Sequence, residues 1–308
     1  SASETITLIK DMKRDENGFG HLVSITLVFA VISVMIFAGW YVFSKNNDQY
    51  ETKTNSVTTL QDVKKVDLPD SADTLDSPDK VVSSDGKTYF SYGAPAGQNN
   101  KNPKKIIISL PGHGTLAEDG YKAWSGHLDD TGYAVAEFNW WDGEGETMGD
   151  YYSPTKAVGQ IREFLKDEGY TSGDVVVLHG FSRGSANTYA VIISDKQTNS
   201  PVFDAVISNS GKYQSDFPLS AQTLSDSQIT GLFNGIPWVL SCGGTDPNPD
   251  RDGCAGMTET KTWLEAHSVN VLALLTDPNL GHGAFHKSTL KLPKQALALI
   301  DEALDLAL

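Results

Sequence analysis

Positive charge is what this chain most lacks. Its 24 Lys and Arg face 39 Asp and Glu, a net charge of −15, and a surface of that sign repels phosphate backbones, so nucleic acid is not an expected partner. Cysteine is scarcer: Cys242 and Cys254 are the whole complement of 2, so one disulfide is the most the chain can form within itself. No internal repeat runs through the sequence, which excludes a solenoid or propeller array. From Ser44 to about Lys80 aromatic residues nearly vanish, and a stretch so rich in Ser, Thr and Asp cannot bury enough apolar surface to fold.

One segment lacks charge of either sign. Leu22 to Phe43, LVSITLVFAVISVMIFAGWYVF, contains no Asp, Glu, Lys or Arg, and about 22 residues of helix reach roughly 33 Å, enough for a bilayer's hydrocarbon core. Trp40 and Tyr41 at its end suit an interfacial anchor. Lys10, Lys13 and Arg14 before the run outweigh Lys45 and Lys53 after it, so the positive-inside bias puts the N-terminal side in the cytoplasm. The expected organisation is 1–20 as a short cytoplasmic tail, 21–43 as a transmembrane helix, 44–80 as a flexible polar stalk and 81–308 as one extracytoplasmic domain. That last part is long enough to bury a sizeable core.

Within it, DVVVLHGFSRGSA, Asp174 to Ala186, passes from a β-branched apolar run through GFSRG into small, helix-compatible residues. The glycines at 180 and 184 let the chain turn sharply and leave Ser182 at a strained apex with its hydroxyl uncovered, the G-x-S-x-G pattern of a nucleophile elbow. A serine nucleophile needs a base, and the base needs an orienting carboxylate. Two downstream strand ends supply candidates in the chain order Ser, Asp, His. IPWVLSCGGTDPNPDRDGC presents Asp246 in a Gly-rich loop, and VNVLALLTDPNLGHGAFH presents His282 between two glycines. His286 is the reserve base; Asp250, Asp252 and Asp277 are reserve acids, less favoured because only Asp246 follows its strand so closely. For the oxyanion, the N–H of Arg183 is one expected donor, and the loop PGHGT after the apolar strand 106–110 offers Gly114 or Thr115 as the second, with His113 behind them.

At this point the chain, from about Lys104 onward, resembles the α/β-hydrolase superfamily. Strands are expected at 106–110, 133–141, 175–178, 203–210, 238–244 and 269–275. They alternate with helices at about 117–130, 153–169, 258–267 and 292–308 and one following the elbow. Such alternation implies a mostly parallel sheet with helices on both faces, and residues 84–97 are expected to add one or two antiparallel edge strands. The resemblance implies the triad Ser182, Asp246 and His282 and an acyl-enzyme route that needs no organic cofactor. The substrate is then a small-molecule or polymer carboxylic ester. A serine peptidase or amidase is the alternative within enzymes, and a non-catalytic surface binding module the alternative outside them. The segment 212–235 is longer than a plain crossover and is expected to form a small cap. Trp140 and Trp141 line a pocket or pack the core, and Glu144 and Glu146 are solvated loop acids.

Two further readings concern the Asp246 loop. Cys242 and Cys254 bracket it, and an extracytoplasmic domain is expected to join them as a disulfide. NPDRDGCAGMTE places Asn248, Asp250 and Asp252 at positions 1, 3 and 5 and Glu259 at 12 of an EF-hand-like spacing, so a structural calcium ion is one expectation. An acidic Pro/Gly turn without metal is the other.

Overall fold

The computed structural model of the chain describes residues 77–94, 104–141, 151–213 and 226–306. Eight strands form one sheet: β1 (Asp79–Val82), β2 (Tyr89–Gly93), β3 (Lys105–Leu110), β4 (Tyr133–Phe138), β5 (Val175–Phe181), β6 (Ala205–Asn209), β7 (Pro237–Gly243) and β8 (Asn270–Asp277). Seven helices are described with them: α1 (Ala117–Ser125), α2 (Pro154–Asp167), α3 (Arg183–Lys196), α4 (Asp226–Phe233), α5 (Cys254–Ala266), α6 (Ala284–Lys287) and α7 (Leu292–Ala303). The strand order is β1-β2-β4-β3-β5-β6-β7-β8. β1–β2 and β2–β4 pair antiparallel and every other neighbour is parallel.

The two-residue period of a strand sorts its side chains between the sheet's faces. Ile106, Ile108 and Leu110 of β3, Val176 and Leu178 of β5, and Trp238, Leu240 and Cys242 of β7 join one buried cluster, covered by α2, α3 and α5. The residues between them, Ile107, Val177 and Val239, join a second cluster beneath α1, α6 and α7. Both faces are therefore covered, which is why these strands read as unbroken apolar runs. α3 crosses the middle of the first layer and is buried almost throughout, from Gly184 to Ile193. α2 opens on Ser153, whose hydroxyl accepts the Lys156 N–H at 3.2 Å, with Pro154 in its first turn.

Several boundaries differ from expectation, each for a local reason. α1 stops at Ser125 instead of 130 because Gly126 caps it and Asp130 and Gly132 take positive φ in the turn to β4. α5 starts at Cys254, four residues before the expected 258. Gly256 there is no helix breaker: a Cβ on it would lie 2.6 Å from the Asp250 carbonyl oxygen, so the glycine allows close approach. α7 ends at Ala303. β1 begins at Asp79, so sheet pairing reaches into the last residues of the expected stalk. Among the described residues no helix is long and apolar enough to cross a membrane; the Leu22–Phe43 run lies outside them, as do most of the expected stalk and residues 214–225 of the expected cap.

One row of the second face is polar. Register sets Ser109 of β3 beside Glu137 of β4 and His179 of β5, and all three are buried. Ser109 Oγ meets His179 Nδ1 at 2.7 Å, and the Trp124 indole N–H donates to the same nitrogen at 3.2 Å. Glu137 Oε2 has no partner, and burial pushes the Glu137 carboxyl up to about 8 although a Ser109 hydrogen bond counteracts it. α1 can lie on that carboxyl only because residue 120 is glycine, since a Cβ there would fall 2.3 Å from Glu137 Oε1. Folding thus raises this pKa from 4.5 to about 8, so the folded chain holds a proton that the unfolded chain releases. Stability must then fall as pH rises through that window, by about 1.4 kcal/mol per pH unit at most. Glu137→Gln is expected to abolish this slope and to melt above the parent at pH 8, measured by thermal melts at pH 5 and pH 8; an unchanged slope in the variant contradicts the assignment.

Candidate active site

The carboxyl ends of β5, β7 and β8 converge on one set of side chains, where open α/β sheets build their sites. Ser182 stands between β5 and α3 with φ 54° and ψ −115°, a conformation that costs a non-glycine residue about 1–3 kcal/mol. Its surroundings hold it there. The Ser182 N–H donates to the Asn209 carbonyl at 2.9 Å, extending the β5–β6 ladder, and its carbonyl accepts from Ala186 N–H at 3.0 Å as the first bond of α3. The elbow glycines are close contacts as well as bends: a Cβ on Gly184 would lie 2.0 Å from the Leu110 carbonyl oxygen, and one on Gly180 would lie 2.5 Å from the Gly184 carbonyl. Gly112 and Gly211 complete the cradle, since their missing side chains would fall 3.0 Å from Ser182 Cβ and 2.1 Å from the Ser182 carbonyl oxygen. Serine at a helix N-cap usually turns its hydroxyl onto the first turn. Ser182 makes no such bond, and its Oγ lies 2.8 Å from His282 Nε2.

His282 Nδ1 meets Asp246 Oδ2 at 2.8 Å on its other side. The Asp246 side chain is fully buried and the His282 side chain one-third exposed; the Asn248 N–H donates to Asp246 Oδ1 at 2.9 Å and fixes the carboxylate's second oxygen. Two loops must lie backbone to backbone for this contact. Glycines at 243 and 244 permit it, because a Cβ on Gly243 would lie 2.0 Å from the Gly281 carbonyl oxygen and one on Gly244 would lie 2.6 Å from Pro278 Cα. Gly244 N–H to Asp277 and Thr245 N–H to Leu280, at 2.9 and 3.0 Å, lace the loops together. Cys242 and Cys254 form a disulfide, as expected, with Cα atoms 5.1 Å apart, and so close the loop that carries the acid.

The other candidates sit elsewhere. His286 packs edge-on against Trp124 at 5.0 Å, where burial pulls its imidazole down to about 3. Asp277 clamps the histidine loop instead of orienting the ring: its oxygens accept Asn279 N–H at 2.9 Å and the Ser288 hydroxyl at 2.6 Å. Asp250 is exposed. Thr115 donates its N–H to the Gly112 carbonyl at 3.1 Å, which commits that amide to the loop's own turn; Gly114 takes φ 68° beside it. Arg183 opens α3 directly after Ser182, and its guanidinium donates to the Tyr151 hydroxyl. Trp140 and Trp141 are buried packing residues; the Trp140 indole donates to the Pro111 carbonyl at 3.1 Å and so anchors the PGHGT loop, a role with no local signal in the sequence. Glu144 and Glu146 lie outside the described residues.

The four residues of the EF-hand-like spacing do not converge. Glu259 pairs with Lys212 at 2.8 Å, Asp252 is held by Arg251, and Asn248 and Asp250 are exposed. Among the described residues, the one group of three His, Cys, Asp or Glu side chains with ligand atoms within 4.8 Å of one another is Asp246, Asp252 and His282.

Solved structures place this architecture. The chain is similar to an esterase of the fungus Rhizomucor miehei with a TM-score of 0.54 at 15% identity, over 75% of this chain and 85% of that one. A bacterial heroin esterase matches with a TM-score of 0.54 at 15% identity, over 75% and 84% of the two chains. A putative esterase from Staphylococcus aureus matches with 0.53 at 14%, over 79% and 88%. No protein-family model and no curated protein sequence matches the chain. The likeness establishes the α/β-hydrolase fold, with its mostly parallel sheet covered on both faces.

Strain at Ser182 has a measurable signature. Ser182→Gly and Ser182→Ala both remove the hydroxyl, but only glycine relaxes at φ 54°. The glycine variant is therefore expected to unfold about 1 kcal/mol harder than the alanine variant in a denaturant titration. Equal stability, or a more stable alanine variant, contradicts a strained elbow.

Proposed function

We propose that this chain of α/β-hydrolase fold is a serine hydrolase of carboxylic esters, tethered to a membrane by the Leu22–Phe43 run with its catalytic domain on the extracytoplasmic side. The observation that carries the chemistry is the continuous relay from Ser182 Oγ through His282 Nε2 and Nδ1 to Asp246 Oδ2, 2.8 Å at each link. In this reading Ser182 Oγ attacks the ester carbonyl carbon while His282 Nε2 takes its proton, and the Nδ1–H donates to Asp246 Oδ2, which holds the tautomer and stabilises the imidazolium. The oxyanion faces the N-terminus of α3, where the Arg183 N–H and the helix dipole favour negative charge. Gly114, in the loop that Gly112 lays against Ser182, is the proposed source of the second donor. His282 then returns the proton to the leaving alcohol, and water repeats the sequence to release the acid from the acyl-Ser182 intermediate. These steps call for no organic cofactor.

Only a neutral His282 can take the Ser182 proton, so kcat/KM is expected to fall on the acid side. That the Rhizomucor miehei protein and the bacterial heroin enzyme are esterases favours an ester over an amide as substrate. The tether rests on the charge-free run and the Lys/Arg bias before it, and the Cys242–Cys254 disulfide supports an oxidising compartment.

Turnover of p-nitrophenyl esters of graded chain length, beside matching anilides and peptides, tests the reading. The esters are expected to be cleaved, and Ser182→Ala to lower kcat by about 10⁴-fold or more with an unchanged melting curve. Faster cleavage of anilides or peptides would make the chain an amidase or peptidase. Full ester turnover in Ser182→Ala would remove the serine mechanism.

A further inference from the structure

The relay leaves one buried acid at its edge without a role. Asp252 shares the disulfide-closed loop with Asp246, its side chain is 6% exposed, and one of its oxygens lies within 4.8 Å of both an Asp246 oxygen and a His282 nitrogen. The loop gives it little freedom to leave. The Asn248 carbonyl gathers the N–H groups of Arg251, Asp252 and Gly253 at 3.2, 2.9 and 3.0 Å, and the Arg251 carbonyl accepts Lys212 N–H at 3.0 Å. Gly253 lies against the acid, since a Cβ on it would be 2.9 Å from Asp246 Cβ.

Two carboxylates this close in a buried place repel, and the pair is tolerated when one of them is neutralised. Arg251 does this for Asp252, donating Nε–H to Oδ2 at 2.9 Å and a second N–H to the same oxygen, while its side chain stays 59% exposed. What remains is a carboxylate with one oxygen engaged by a solvated cation, beside the ring that must become positive during turnover. We propose that Asp252 is a positioning residue for the Ser182–His282–Asp246 relay: a second carboxylate that stabilises the His282 imidazolium and takes over the Nδ1 hydrogen bond when Asp246 is removed, with Arg251 setting how much of its charge His282 feels. The inference rests on the serine-hydrolase reading above.

The other charged or titratable groups facing this part of the site come from three elements. Asp246 is the direct partner; Lys287 of α6 lies along Gly283, where a Cβ would be 3.3 Å from its Nζ; Arg183 of α3 adjoins Ser182. His127 and His286 meet each other, the His127 ring contacting the His286 carbonyl at 2.8 Å, and burial holds both imidazoles below their ordinary range. None of these is altered by substitutions at 251 or 252.

The test is kcat and KM against pH for a p-nitrophenyl ester, using the full chain. Asp252→Asn still offers Arg251 an acceptor but loses the charge. Its acid limb is expected to move down by about half a pH unit, with a severalfold fall in kcat and an unchanged KM; Asp252→Glu is expected to restore both. Arg251→Gln unmasks the carboxylate and moves the limb the opposite way, a pair of signs that a purely structural role would not produce. Asp246→Asn is expected to keep at least about tenfold more kcat/KM than Asp246→Asn combined with Asp252→Asn. Superimposed acid limbs together with equal activity of the single and double Asp246 variants overturn the inference. Should Asp252→Asn fail to fold, the Arg251→Gln limb decides alone: upward movement supports Asp252 and an unmoved limb overturns it. Ser182→Ala in the same assay separates the two levels, because activity surviving there overturns the hydrolase reading, whereas a dead Ser182→Ala with unmoved limbs overturns only the role of Asp252.

Discussion

Ser182 can stay at φ 54° only because backbone lies where side chains would otherwise be. Gly184 meets the Leu110 carbonyl, Gly180 meets Gly184, Gly211 meets the Ser182 carbonyl and Gly112 meets the Ser182 side chain. Together the four contacts press three segments onto the elbow: β3 and its loop, β5, and the end of β6. The strain at one residue is thus offset by packing spread over three strands, and the hydroxyl is released from capping α3 to face His282. That release leaves the Ser182 hydroxyl 2.8 Å from the imidazole proposed to activate it.

The same device recurs on the other side of the site. Gly243 and Gly244 let the acid loop lie on the histidine loop, and backbone hydrogen bonds from Gly244 and Thr245 fix their register. Asp277 and Ser288 close the histidine loop at its base, and a contact of the His127 ring with the His286 carbonyl ties α6 to the end of α1. The relay then runs from a fully buried carboxylate to a one-third-exposed imidazole. Burial strengthens the Asp246–His282 hydrogen bond, while exposure at the serine end leaves room for a substrate.

Much of this was legible in the sequence because it is local. The elbow pattern, the Gly-flanked histidine and the Gly-Gly-Thr-Asp loop each declare their backbone geometry within a few residues, and unbroken apolar strands declare a sheet covered on both faces. What was not legible depends on register or on distant partners. Glu137 sits in YAVAEF, where alternation would give a solvated side chain on a one-sided sheet; only the β4–β3–β5 register and α1 above it make it a buried acid. The Trp140 indole on Pro111 and the Tyr151 hydroxyl on Arg183 join segments far apart in the chain. The sequence ranks Asp250, Asp252 and Asp277 together below Asp246, and three-dimensional packing separates them: Asp250 in solvent, Asp277 in a loop clamp, Asp252 beside the relay.

The central claim is that Ser182 is a nucleophile activated by His282 and Asp246. The most direct measurement is the site of covalent modification after treatment with a fluorophosphonate, read by peptide mass. The account predicts one adduct per chain, on the peptide spanning Ser182, formed rapidly by the parent and not by His282→Ala. An adduct on another residue, or equal labelling in His282→Ala, would contradict it.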